Sequence, residues 1–260
     1  MNRLRFLFTT FILLSAILIS SNLKSLPSSS FIIIPSGISS SVYSDSRTTY
    51  KVESSDEDFT LSGTANQQIL SINSGGGKTV IVVSSGESPL VENKNLNIYL
   101  SNTPYLNTDK ESIKKTAMKF KDSKDPVRDV SLFVYNHISD KKMGIPLLPA
   151  SSILSGKAGD CTEHSVLTVS ILRTLKIPAR AVMGIILSEN FSGKQNVFVY
   201  HMWVEAYHNG RWILVDSTRP QDIHPNRYIA LAYHNLKTET PLEYLQAIST
   251  MQNMKISYVK

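Results

Sequence analysis

Thiols are nearly absent from this chain: its 260 residues contain one cysteine, Cys161. No intrachain disulfide can form, and zinc sites built from several thiolates are excluded. Charge of one sign is also scarce. The formal net charge is +6, but Arg3, Arg5 and Lys24 supply half of it, leaving 24 basic against 21 acidic residues from position 26 onward. A net of +3 over that length is a poor basis for nucleic-acid binding, and none is expected. Long apolar runs are limited to residues 6–20, which rules out a multi-span membrane protein. The 42% apolar and 18% charged fractions leave ample material for a core and make global disorder untenable.

The run at 6–20 follows Arg3 and Arg5 and is short for a bilayer-spanning helix. It has the form of an export signal, so residues 1–25 are read as a signal peptide, or as a signal anchor if uncleaved. No A-x-A site follows it, and no cysteine lies near it for lipidation. The mature chain is expected to be exported, periplasmic or extracellular, touching a membrane only through an uncleaved N-terminal anchor.

Residues 26–95 read as a small β-rich segment. The apolar run 31–34 makes a linker or a first ragged strand, and residues 69–72 and 79–83 flank Ser74-Gly75-Gly76-Gly77-Lys78 as a hairpin. A phosphate-binding loop through Gly77-Lys78-Thr79 fails, because Ile72 stands where its first glycine belongs and β-branched residues follow where a helix should start.

Helical spacing begins near residue 108. Asp109 is a candidate cap for a helix carrying Ile113, Ala117 and Phe120 on one face. Asp125-Pro126 opens a second helix with Val127, Val130, Val134 and Ile138 inward. After a loop rich in Gly and Pro, a third helix runs from Cys161 through Val166, Leu167, Val169, Ile171, Leu172 and Leu175 until Ile177-Pro178 stops it. Strands follow at 180–187, 197–208 and 211–217. Helices followed by an antiparallel meander make an α+β fold.

Asn209-Gly210 is a strong two-residue hairpin signal. That loop pairs His208 with Arg211 and Glu205 with Leu214, which makes Asp216 a diagonal neighbour of His201 on the same face. A helix N-terminus favours a thiolate at Cys161. Cys161, His201 and Asp216 thus offer a nucleophile, a base and an orienting acid. Trp203 and Trp212 are expected to wall the site or fill the core, and Asp160 to cap the cysteine helix. The other histidines, His137, His164, His208, His224 and His234, lack zinc spacing, so neither a metal nor a cofactor is expected.

Gly159-Asp160-Cys161-Thr162-Glu163-His164, Ile177-Pro178-Ala179-Arg180, His201-Met202-Trp203-Val204-Glu205 and Trp212-Ile213-Leu214-Val215-Asp216 resemble, in that order, the bacterial transglutaminase-like superfamily. The resemblance spans residues 96–235. It implies a papain/transglutaminase-like core within a domain at 96–260, with the cysteine helix packed on an antiparallel sheet. It also implies Cys161 as nucleophile, His201 as base and Asp216 as orienting acid. One departure is that no Gln or Trp stands between Leu96 and Cys161 to complete an oxyanion hole. Ser151 and Ser152 are substitute candidates. The calcium sites of animal relatives have no counterpart.

The expected activity is cysteine-dependent acyl transfer on amide bonds of a peptide or protein substrate. Hydrolysis is favoured over amine transfer, which would make the protein a cross-linking transglutaminase. Two rivals are a peptide-binding or scaffolding module that retains the fold without catalysis, and a regulated enzyme whose groove is covered by residues 26–95.

Overall fold

Three tight hairpins organise the chain. The computed structural model describes residues 32–87, 95–142, 147–234, 236–237 and 249–259; the expected export signal at 1–25 lies outside them. In the central sheet, β7 (Ala179–Phe191) pairs with β8 (Lys194–His208) from Ala179↔Ala206 to Phe191↔Lys194. β8 then turns through Asn209-Gly210 into β9 (Arg211–Val215). Both turn residues have positive φ, 51° and 80°, as the hairpin geometry that matches strand twist requires. His208↔Arg211 and Glu205↔Leu214 pair in the register read from the sequence. β10 (Tyr228–His234) lies on the far side of β7, and β1 (Ile32–Ile33) pairs with β8 near Val199. Thus β1 and β9 occupy one edge of β8 at different heights, with the stretch 200–203 between them.

Helices cover part of one face. α1 (Glu111–Met118), α2 (Pro126–His137), α3 (Ala150–Gly156) and the central α4 (Cys161–Thr174) share a core with Ala181, Met183, Met202 and Val204. Asp125 caps α2 by accepting from the Arg128 N–H, and Val127, Val130, Val134 and Ile138 are buried as their spacing predicts. Asp109, by contrast, does not cap α1. Lys110 stands at that position, and the Asp109 carboxylate accepts from Asn102, whose side chain also holds the Thr103 and Thr108 amides. α3 occupies part of the region read as loop.

The second sheet is antiparallel in the order β11-β2-β4-β3, with β2 at Arg47–Ser54, β3 at Gln67–Gly75, β4 at Lys78–Gly86 and β11 at Met254–Tyr258. Gly76-Gly77, with φ of 65° and 75°, is the tight turn between β3 and β4. The glycine run therefore serves a hairpin. Because β11 comes from the C-terminal end, this sheet draws on both ends of the chain. Its Tyr50, Val52, Ile81 and Val83 pack with Ile185, Leu187, Phe198 and Ile229 of the central sheet. One face of β7 thus meets helices through Ala181 and Met183, and the second sheet through Ile185 and Leu187. The opposite face carries Val182, Ile186, Trp203, Tyr228 and Ala230.

Candidate active site

Cys161 is the first residue of α4, and a reciprocal cap holds it there. The Asp160 carboxylate accepts from the Thr162 N–H at 2.9 Å, while Glu163 Oε2 accepts from the Asp160 N–H at 2.9 Å. Gly159 makes room for this box, since a Cβ there would come within 2.4 Å of the Glu163 side chain. At the first helical position the Cys161 N–H has no intrahelical acceptor, so it can serve as an oxyanion donor. The Ser151 hydroxyl is turned elsewhere and donates to Asn107 Oδ1 at 2.9 Å.

The opening in the β8 edge matters next. A two-residue β8–β9 loop turns the N–H groups of even-numbered β8 residues toward β9. The ladder ends at Val204↔Val215, so Met202 presents its N–H to the edge without a strand partner. That backbone group hydrogen-bonds Cys161 and lowers its thiol pKa. The sulfur is therefore held one residue along β8 from His201.

Burial outweighs this contact and pushes the Cys161 thiol well above the ordinary cysteine value, with Asp160 raising it further. Cys161 keeps some exposed surface, but desolvation of the sulfur dominates. The helix terminus thus does not leave the isolated thiol acidic, contrary to the simple expectation from its position. Burial also raises Glu163, with help from Asp160, to about 8, so this carboxyl is protonated at neutral pH. Its Oε1 is buried without a hydrogen-bond partner. Burial lowers His164 to about 4. The neutral His164 ring lies 2.5 Å from the Asp160 carbonyl through Nδ1 and 3.0 Å from Lys141 Nζ through Nε2. Nδ1–H must donate to the carbonyl, leaving Nε2 to accept from lysine.

His201 Nε2 lies 2.7 Å from Asp216 Oδ2, and both side chains are buried. Burial alone would raise the Asp216 carboxyl. His201 and the Thr218 hydrogen bonds reverse that effect and hold it well below the usual carboxylate range. Thr218 donates to Oδ1 from its N–H at 2.9 Å and its hydroxyl at 2.7 Å. Tyr228 donates to Oδ2 at 2.8 Å. Trp203 stacks against His201 at 6.2 Å between ring centroids and meets Tyr228 edge-on. Trp212 lies away from this pair, over the Arg180 guanidinium at 4.1 Å.

The structure thus puts Asp216 on His201 and places Cys161 against the neighbouring β8 residue. The hairpin register puts Thr218 on the face of His201 and Asp216 without giving it a role, and the sequence does not point to Tyr228 or the Met202 amide. Thr218 had a local signal, two residues beyond an aspartate. Tyr228 had none, since it arrives on a strand paired with the other side of β7. His137 bonds the Leu154 carbonyl and His224 pairs with Asp222 at the surface. Among the described residues, no group of three or more His, Cys, Asp or Glu could hold a metal ion.

Residues 112–217 match the transglutaminase-like superfamily. No curated protein matches the chain. Among solved structures, a candidate cysteine protease from Cytophaga hutchinsonii is similar at 18% identity and a TM-score of 0.50, covering 82% of this chain and 86% of its own. The periplasmic domain of TgpA from Pseudomonas aeruginosa, bound to ethylmercury, is similar at 17% identity and a TM-score of 0.51, with 68% and 73% covered. These two likenesses show a shared fold of helices packed on an antiparallel sheet. The stretch that matches the transglutaminase-like superfamily carries Cys161, His201 and Asp216.

Proposed function

We propose that this protein is an exported cysteine-dependent acyl-transfer enzyme acting on amide bonds of a peptide or protein. The observation that carries the reading is the buried His201–Asp216 contact beside the β8 edge position that holds the Cys161 sulfur. With Nε2–H directed at Asp216, Nδ1 is the lone-pair nitrogen and can accept the thiol proton. Cys161 Sγ then attacks the amide carbonyl carbon, and the Cys161 N–H supports the developing oxyanion. The amine leaves with the proton from His201, and a thioester remains. An acceptor then attacks the thioester, gives its proton to His201 and regenerates the thiol.

Hydrolysis is the favoured outcome, since water is the most abundant acceptor in an open site. Transfer to an amine shares every step up to the thioester. Export is supported by the charge and hydropathy pattern of residues 1–25 and by the likeness to a periplasmic domain. The mature chain is then a β-rich segment at 26–95 followed by a transglutaminase-like domain at 96–260, with β1 lent to the central sheet and β11 to the second. The raised Cys161 thiol favours a second reading, a non-catalytic peptide dock.

Alkylation of Cys161 by iodoacetamide across pH, with and without His201→Ala, separates the two. The catalytic reading expects brisk reaction well below about pH 8.5, where a free cysteine is mostly protonated. In His201→Ala the reaction should move to higher pH, because burial and Asp160 then act without a proton acceptor. A thiol that is unreactive, or indifferent to His201, would overturn the catalytic reading.

A further inference from the structure

The Asp216 carboxylate accepts four hydrogen bonds, and one comes from outside the hairpin that carries it. Thr218 holds Oδ1 twice, while Oδ2 is shared by His201 and the Tyr228 hydroxyl. Tyr228 is buried, and burial followed by the Asp216 charge keeps its phenol well above the ordinary tyrosine value. The hydroxyl therefore stays a donor over the whole working range, and the direction of this bond cannot reverse.

The backbone around Tyr228 is tied to the second sheet. Its carbonyl accepts from Ser85 Oγ at 2.7 Å and Asn66 Nδ2 at 3.0 Å. Gln67 bonds both the N–H and the C=O of Ala230, two residues on. Two residues before, the Asn226 carbonyl accepts from Tyr50 Oη, and its side chain donates to the Val42 carbonyl and Thr48. These bonds are buried, where an orphaned group is costly, so they fix the height of Tyr228 against the central sheet.

We propose that Tyr228 is a positioning residue for the His201–Asp216 pair, and that the second sheet holds it in place through Ser85 and through Asn66 in the turn before β3. This rests on the acyl-transfer reading above. Two donors on Oδ1 and two on Oδ2 leave the carboxylate no freedom to rotate away from the imidazole. The Tyr228 hydroxyl also competes with His201 for Oδ2, so it draws negative charge away from the imidazole. Arg219, 3.8 Å from Oδ2, and Asp222, which acts on Tyr228, are the other charges on this side. Cys161 and His164 feel Asp216 from the helix side. On this account the second sheet, which one reading of the sequence has covering the groove, instead braces the site.

The test uses the full chain with Tyr228→Phe and with 3-fluorotyrosine at position 228, whose more acidic phenol is the stronger donor. The expected result for Tyr228→Phe is alkylation of Cys161 about tenfold slower, because the lost alignment of the imidazole outweighs its stronger counter-charge. The His201 ring proton resonance should titrate roughly half a pH unit higher, because Asp216 then holds the imidazolium more strongly. Fluorotyrosine should move that midpoint the opposite way. Ser85→Ala should repeat the Tyr228→Phe shift more weakly. Should Tyr228→Phe fail to fold, the fluorotyrosine and Ser85→Ala proteins decide the matter. Alkylation within twofold of wild type and unmoved midpoints in the folded variants would overturn the proposal. A wild-type thiol indifferent to His201 would instead count against the acyl-transfer reading, and the midpoints would still report on Tyr228.

Discussion

Two buried carboxylates, each bonded to a basic side chain, sit on the same face of β8, two turns of the pleat apart, and the surroundings give them opposite characters. At one end Glu205 is fully buried and takes Arg180 through Nε at 2.9 Å and Nη2 at 2.8 Å. Glu205 also accepts from the Ala65 amide and the Tyr233 hydroxyl. Trp212, Tyr233 and Tyr99 close around the guanidinium at 4.1, 4.0 and 5.1 Å. At the other end His201 and Asp216 are also buried and bonded, but they lie beside the unpaired stretch of the β8 edge where Cys161 is held. Trp203 stands between the two sites. One pair is walled in by aromatic rings. The other lies beside the start of α4, where Cys161 stands. Burial and pairing alone therefore do not mark an active site; what the pair faces does.

The largest expected effect that would break this comparison is at Asp216. Asp216→Asn should slow Cys161 alkylation at neutral pH by about 10² to 10⁴, since the imidazole loses both its tautomer and its counter-charge. The thermal midpoint should shift far less than in Arg180 variants. Arg180→Ala should do the reverse. It strands the Glu205 carboxylate in an apolar box and should lower unfolding free energy by about 3–5 kcal/mol in denaturant titration. The folded fraction should alkylate at nearly the wild-type rate. If both variants gave the same profile, the distinction between the two ends would fail.

A smaller effect reads the protonation states around the nucleophile helix. Glu163 is raised to about 8 in the fold, so between pH 4.5 and 8 the folded state holds a proton that the unfolded chain has released. Stability should fall with rising pH over that window, by up to about 1.4 kcal/mol per unit. His164 is lowered to about 4, so between pH 4 and 6.5 the unfolded chain holds the extra proton and stability should rise with pH. The two slopes offset each other between 4.5 and 6.5, and the Glu163 decline stands alone from 6.5 to 8. Glu163→Gln should leave only the rise below 6.5, measurable by melts across pH.

The smallest expected effect concerns the turn that sets the register. Gly210 has a φ of 80°, and nothing lies within 4 Å of where a Cβ would be. Gly210→Ala should therefore lower stability by about 1 kcal/mol through backbone strain alone. Alkylation should be unchanged if the β8–β9 register survives. A large loss of alkylation would mean that the turn, more than the ladder, holds Asp216 in place.

Much of the fold and part of the candidate site were legible along the chain, and the division has a physical basis. Asn209-Gly210 sets a local turn, strands alternate strictly, and so His201 and Asp216 are brought to one face by arithmetic over fifteen positions. Asp125-Pro126 and the apolar spacing after it define α2 in the same local way. The Asp109 cap failed because Asn102, a residue of the preceding loop, claims that carboxylate first. β10, β11 and α3 left no sufficient signal: each is short, and packing against a distant element stabilises it more than its own pattern does.

By itself the sequence determined the hairpins, the cysteine at a helix start, and the pairing of an imidazole with an acid. All of these depend on φ preferences and periodicity, which act over a few residues. Only the tertiary structure decided the rest. It opened the β8 edge between β1 and β9 so that the Met202 amide meets the sulfur. It surrounded that sulfur closely enough to raise its pKa, and it delivered Tyr228 to Asp216 from a strand on the far side of β7. Those features depend on desolvation and on contacts between segments distant in the chain, and neither has a period or spacing that a linear sequence can display.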